Sequence, residues 1–202
     1  MLKYISMFII VGGFLLVVAG TYQYAQTENA QKSSLSEAYK VLKKGTVKHS
    51  STEVEQTVQK EEIEFSPKQG DAVGILSIPR LNSELPIIEG TDEDELARGV
   101  GHYKGTAYPG DKDQIVLSGH RDTVFRRMGE LKIGDELVVT LPYGSFTYTI
   151  ERTEVVDADD TTIIKSTAPN EILVLSTCYP FSYVGSAPER YIIYATPKKA
   201  TN

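Results

Sequence analysis

Hydrophobic and polar residues divide the chain into three stretches of different pattern. Between Tyr4 and Thr27 there is no charged side chain, and Ile5 to Ala19 is almost wholly apolar. Flanked by Lys3 and Glu28, that run is long enough to cross a bilayer as a helix. A cleaved signal peptide would share its length and charge. No small-x-small cleavage site follows the apolar run, where Tyr22, Gln23 and Tyr24 are bulky, so an uncleaved anchor is the preferred reading. Lys3 then puts the N-terminus on the cytoplasmic side and the bulk of the chain outside. Residues 28–68 are rich in Gln, Ser, Glu, Lys and Thr, with a short helix credible over Ser36–Lys44. Such a composition buries too little surface to offset chain ordering, which predicts a polar stalk or flexible linker.

From Asp71 onward the pattern is that of short strands. β-rich runs recur at Ala72–Ile78, Leu85–Glu89, Gln114–Gly119, Glu136–Leu141, Ser145–Val156, Glu171–Thr177 and Tyr191–Ala195. Phe146 to Ile150 alternates at period two, and turn residues such as Pro79, Gly90, Pro109-Gly110 and Gly134-Asp135 separate the runs. An all-β sandwich or closed barrel follows, rather than an α/β fold. One short helix is predicted, with Thr91 capping Asp92–Arg98 and Gly99 ending it; its acidic first turn suits the positive end of the helix dipole. The predicted division is a cytoplasmic tip and transmembrane anchor over 1–27, a stalk over 28–68 and one folded domain over 69–202.

Composition then removes several classes of function. The net charge of −6 argues against nucleic acid, which needs a concentrated basic surface. Cys178 is the single cysteine, so no intramolecular disulfide forms. His49, His102 and His120 offer no sequence-close ligand pair, which argues against a structural metal.

Chemistry concentrates where strands end. The run Ile172–Leu175 leads into Ser176-Thr177-Cys178 and is stopped by Pro180, which cannot continue a central ladder. The thiol therefore sits at a strand end, where a buried structural cysteine would sit more comfortably mid-run. A second run, Gln114–Ser118, terminates at Gly119-His120, and a histidine at the mouth of a strand is a candidate acid or base, with a turn role as the alternative. If the strands ending at Cys178 and beginning at Arg190 pair antiparallel, these two residues are neighbours. An arginine is always charged and suits a developing oxyanion, although a surface ion pair with Glu189 is the blander reading. Arg121 and Arg98 are its rivals.

These motifs resemble one family. Leu175-Ser176-Thr177-Cys178 followed by Tyr-Pro-Phe, with Gly119-His120-Arg121-Asp122-Thr123-Val124-Phe125 upstream, is similar to the sortases, class D in particular. The likeness spans roughly 71–197 and includes Gly99–Tyr103 and Tyr108-Pro109-Gly110. Where the family commonly reads Thr-Leu-x-Thr-Cys, this chain has Val174 at the first place. The resemblance implies an eight-stranded β-barrel with short helices behind an N-terminal transmembrane helix. It implies Cys178 as nucleophile, His120 as acid/base and Arg190 as stabiliser of substrate and oxyanion, with Thr177 and Ser118 as substrate contacts. His102 is implied to be structural or part of the groove wall. The implied reaction is cleavage of an LPxTG-like sorting signal on surface proteins and transfer to a cell-wall amine or peptidoglycan precursor, on the extracellular side of a Gram-positive membrane.

No cofactor is implied. Calcium, which some relatives bind near comparable loops, would fall to Asp157, Asp159 and Asp160 with Asp111 or Asp113, against the commoner case of solvated acidic loops. Asp122 is a candidate to orient the imidazole, or a turn residue. The L,D-transpeptidases and papain-like enzymes are disfavoured, because the first join His and Cys in one compact motif and the second place Cys before His. A barrel that only binds, with an inert thiol, is the non-enzymatic alternative.

Overall fold

The computed structural model describes residues 2–49, 65–182 and 185–198. Helix α1 (Leu2–His49) precedes β1 (Ala72–Ile78), β2 (Ser83–Glu89), α2 (Glu93–Arg98), β3 (Val100–His102), β4 (Gln114–Ser118), β5 (Glu136–Leu141), β6 (Gly144–Asp157), β7 (Ile172–Tyr179) and β8 (Glu189–Pro197). The strands close into a barrel in the order β1-β2-β3-β4-β7-β8-β6-β5, which leaves no free sheet edge. β2 with β3 and β4 with β7 pair in parallel; the other neighbours are antiparallel. All seven runs read from the sequence are strands. The eighth, β3, is three residues around Gly101 and carries no periodicity to read.

Alternation sorts the side chains between two faces. Ile115 and Leu117 of β4, Leu173 and Leu175 of β7, and Ile193 and Ala195 of β8 fill the interior with Leu76, Tyr148 and Phe125. Val116, Val174, Ile192 and Tyr194 form a separate buried layer on the outer face, covered by Ile163 and Ile164 of the β6–β7 loop. Hence the residues two positions further along β4, β7 and β8 also face outward.

The stretch expected to be a stalk is helical through His49, and 28–49 is corrected accordingly; positions 50–64 lie outside the described residues. Average composition hid a stripe. Leu35, Ala38 and Leu42 recur at three- and four-residue spacing and pack on Ala72, Ile75 and Ile88 of the barrel. Gly45 lies so close to Pro142 that a Cβ there would stand 2.4 Å from the Pro142 carbonyl oxygen. Arg98 adds polar ties, its Nη2 3.2 Å from Glu37 Oε2 and its Nε 3.3 Å from Ser34 Oγ. The cap of α2 also differs from expectation. Asp92, one residue after Thr91, caps it in a capping box with Glu95.

His102 is 1% exposed and belongs to the core, so the groove-wall reading is set aside. Its Nδ1 lies 2.7 Å from Glu89 Oε2 and its Nε2 3.0 Å from the Ala107 carbonyl, while the ring stacks on Tyr108. The Tyr108 hydroxyl donates to the same Glu89 oxygen. Burial pushes the Glu89 carboxyl up, but the hydrogen bonds from His102 and Tyr108 outweigh it and hold the group below the usual range. Its folded pKa is thus below the unfolded one. The stabilisation is present above the unfolded value, near 4.3, and is lost as pH falls through the folded one. Glu89→Ala, which strands two buried donors, is expected to cost roughly 3–5 kcal/mol in urea denaturation. Glu89→Gln is expected to flatten the loss of stability below about pH 4.

Candidate active site

Two ladders bring the candidate residues together. In the antiparallel β7–β8 pair Cys178 stands directly opposite Arg190, which puts their Cα atoms about 4.5–5.5 Å apart. In the parallel β4–β7 pair Ser118 is in register with Ser176. That ladder runs one bond further, the Gly119 N–H donating to the Ser176 carbonyl at 3.1 Å. Continued one step past that bond, the same register sets His120 level with Cys178. Alternation puts all three on the outer face, where each is half-buried. His120, Cys178 and Arg190 therefore form one cross-strand row at the barrel rim. Below it lies the row Ser118, Ser176 and Ile192, and below that Val116, Val174 and Tyr194. Both serines are half-buried on this face.

The surrounding residues fix this row. Thr177, expected to touch substrate, is 2% exposed and donates its hydroxyl to the Gly119 carbonyl at 2.7 Å. It points into the barrel by alternation and straps the cysteine strand to the histidine turn. Ser118 is half-buried on the same face as the row. A Cβ on Gly119 would stand 2.6 Å from the ring of Phe125, which explains a glycine just before His120. The His120 carbonyl accepts from the N–H groups of Phe125 (3.0 Å) and Thr123 (3.3 Å), folding the turn back on itself over the fully buried Phe125.

Arg121 is the contribution that sequence reasoning missed. Its guanidinium is buried and donates from Nη1 to the Pro180 carbonyl (3.0 Å) and from Nη2 to the Gly185 carbonyl (2.9 Å). It ties the turn after His120 to the loop after Cys178. No local pattern distinguishes such a clamp from an exposed arginine, because its partners are backbone oxygens about sixty residues away. Asp122 is exposed, with its carboxylate 3.5 Å from Arg121, and its carbonyl accepts from Arg126. It serves the turn. Arg98 lies at the α1 contact described above, leaving Arg190 as the arginine in the row. The Arg190 Nη1 donates to its own loop, to the carbonyls of Glu189 (3.1 Å) and Ala187 (3.4 Å). Tyr179, Phe181 and Tyr191 form an aromatic cluster at the same rim.

Three of the acidic residues considered for calcium already hold hydrogen bonds, Asp111 by accepting from the Tyr108 N–H. Asp113 accepts from the Thr167 and Gln114 N–H groups and from Ser166, which holds its carboxyl below the usual range. Asp160 accepts from the Thr162 hydroxyl and N–H. Among the described residues no group of three or more His, Cys, Asp or Glu is placed to share a metal ion.

Comparison with known proteins points to one family. A Sortase domain profile matches residues 76–198. The chain is 51% identical over 194 residues to Sortase D of Bacillus subtilis (strain 168), covering 96% of this chain and 98% of that protein. The solved structure of a Clostridium perfringens Sortase D5 transpeptidase superposes with a TM-score of 0.67 at 23% identity, over 85% of this chain and 99% of that one. Sortase C from Clostridium perfringens SM101 superposes with a TM-score of 0.59 at 26% identity, over 89% and 97%.

Proposed function

Because this chain belongs to the sortase family, and is a cysteine transpeptidase that anchors surface proteins, we propose that His120, Cys178 and Arg190 carry its chemistry. The observation that supports this most is the cross-strand row, in which three residues far apart in sequence share one face at one rim. The Cys178 sulfur attacks the carbonyl of the threonine in an LPxTG-like sorting signal. The Thr–Gly C–N bond breaks, His120 gives a proton to the leaving amine, and a thioester remains on the enzyme. A cell-wall amine, such as that of a peptidoglycan precursor, then attacks the thioester carbon. Its lost proton returns to His120, and Cys178 leaves as the sulfur it began as. Arg190 donates to the tetrahedral oxyanion in both halves.

Ser118 fits a contact with the extended signal on the face that carries the row. The chain divides into a transmembrane anchor over 1–27, a connecting segment over 28–68 that begins as the docked part of α1, and the catalytic barrel over 69–202. Its most apolar stretch, with a mean hydropathy of 1.7, is long and apolar enough to cross a membrane and is exposed all round. A single pass with the barrel on the extracellular side is the arrangement that lets such a barrel meet both cell-wall amines and surface proteins.

The test is incubation of residues 28–202 with a peptide library around Leu-Pro-x-Thr-x, with mass spectrometry of the protein. The expected result is an acyl adduct on Cys178 of mass set by the fragment ending in threonine, released by added amine. Full cleavage by Cys178→Ala would sink the assignment.

A further inference from the structure

We propose that the catalytic rim of the barrel rests on the bilayer surface, with the loop spanning residues 122–135 in the headgroup layer. The proposal rests on the reading of α1 as a membrane span, and three separate observations lead to it.

The first is direction. The ends of β1, β4, β6 and β7 and the starts of β2, β5 and β8 share one rim, as the pairing senses require. That rim carries the row of His120, Cys178 and Arg190. The C-terminal part of α1 reaches the other end of the barrel, where Gly45 meets Pro142 of the β5–β6 turn. Its earlier turns arrive at the catalytic rim. Tyr24, Thr27, Glu28 and Gln31 share a cavity of about 550 Å³ with Asn82 at the β1–β2 connection and Thr123 of the histidine turn. From Thr27 to Gly45 is about 27 Å of helix at 1.5 Å per residue, so the far end of the barrel stands well away from the bilayer. The apolar residues from Tyr4 to Tyr24 project past the catalytic rim, and Tyr22 and Tyr24 fall where interfacial aromatic residues belong.

The second is an exposed apolar side chain at the right place. Ile133 is 70% exposed, more than the other large apolar residues of the barrel among those described. It lies in the turn before β5, on the catalytic rim. The Arg80 Nε, 3.1 Å from Asp135 Oδ2 and 3.1 Å from the Glu130 carbonyl, joins this turn to the Pro79–Leu81 turn beside α1.

The third is charge. The loop itself is balanced, Arg126, Arg127 and Lys132 against Asp122, Glu130 and Asp135, with Arg127 paired to Glu130 and Asp135 paired to Arg80, on a chain whose net charge is −6. The basic side chains among them suit phosphate headgroups, and an apolar side chain between them suits the shallow acyl boundary. The β6–β8 side of the same rim carries Asp157, Asp159 and Glu189 and would be repelled, which tilts the rim so that the 122–135 edge meets the lipid. A scissile peptide would then be taken at headgroup level, close to where a membrane-attached substrate leaves the bilayer.

The experiment uses the full chain in liposomes containing anionic phospholipid. Cys178→Ala provides a background without thiols, into which one cysteine is placed at Ile133, at Lys132, at Ser145 on the opposite rim, or at Thr21 in the span. Each is labelled with a fluorophore and exposed to lipids carrying nitroxide on the headgroup. Quenching at Ile133 and Lys132 is expected to exceed that at Ser145 by at least about threefold. Quenching at Thr21 but not at Ile133 or Lys132 would overturn the docking and leave the span intact. Quenching at none of the four overturns both.

Discussion

Cys178→Ala is expected to reduce sorting-signal cleavage to background, a loss on the order of 10⁶-fold in kcat if the family chemistry operates here. The argument is that no other group can substitute. Cys178 is the single cysteine of the chain, and Ser176, the nearest hydroxyl on the same face, lies one row deeper. Folding should be nearly unaffected, because Cys178 is only half-buried and the strap that joins its strand to the histidine turn is made by Thr177. His120→Ala should cost nearly as much, since the leaving amine then departs without a proton and the thiol lacks its partner. Residues that act as a unit lose activity once, not twice, so the double variant should be no slower than the worse single one. Single-turnover cleavage of a fluorogenic sorting peptide, with thermal unfolding as the control for folding, measures all three. A double variant slower by the product of the two single losses would show that the two side chains act independently.

Much of this arrangement was legible before the structure, and the reason is topological. A strand that ends at Cys178 and another that begins at Arg190 must meet at one sheet edge if they pair antiparallel, and they do. The place of His120 was a different matter. It depends on the parallel β4–β7 register, a pairing across more than fifty residues, and only the motif resemblance pointed to it. What the sequence hid were features made by partners distant in the chain. The stripe of Leu35, Ala38 and Leu42 is too sparse to stand out from its polar surroundings, and its meaning appears only when Ala72, Ile75 and Ile88 are set against it. Thr177 reads as a groove residue until alternation turns it into the barrel. Arg121 reads as a rival to Arg190 until the Pro180 and Gly185 carbonyls are found at its fork. For Thr177 and Arg121 the hidden role is to hold the row in place.

Arg190→Ala is expected to lower kcat/KM by roughly 10²–10³-fold, the loss seen when one preorganised oxyanion donor is removed. Arg190→Lys should recover little of it. The Arg190 Nη1 is committed to the Glu189 and Ala187 carbonyls, which leaves other N–H groups of the planar fork for the cleft. A lysine ammonium that satisfies the same carbonyls has no rigid second arm to aim at an oxyanion. It keeps the positive charge opposite Cys178, however, and that separates two roles the arginine could play. If the charge mainly raises the reactivity of the Cys178 sulfur, alkylation of Cys178 by iodoacetamide should be slowed in Arg190→Ala and restored in Arg190→Lys. If the directed donors matter more, alkylation should vary little among the three proteins while acylation by the sorting peptide falls in both variants. The geometry favours the second pattern, because the loop carbonyls hold the guanidinium as a preformed donor and not as a mobile counterion. Lysine restoring acylation to within about twofold would instead assign the rate effect to charge.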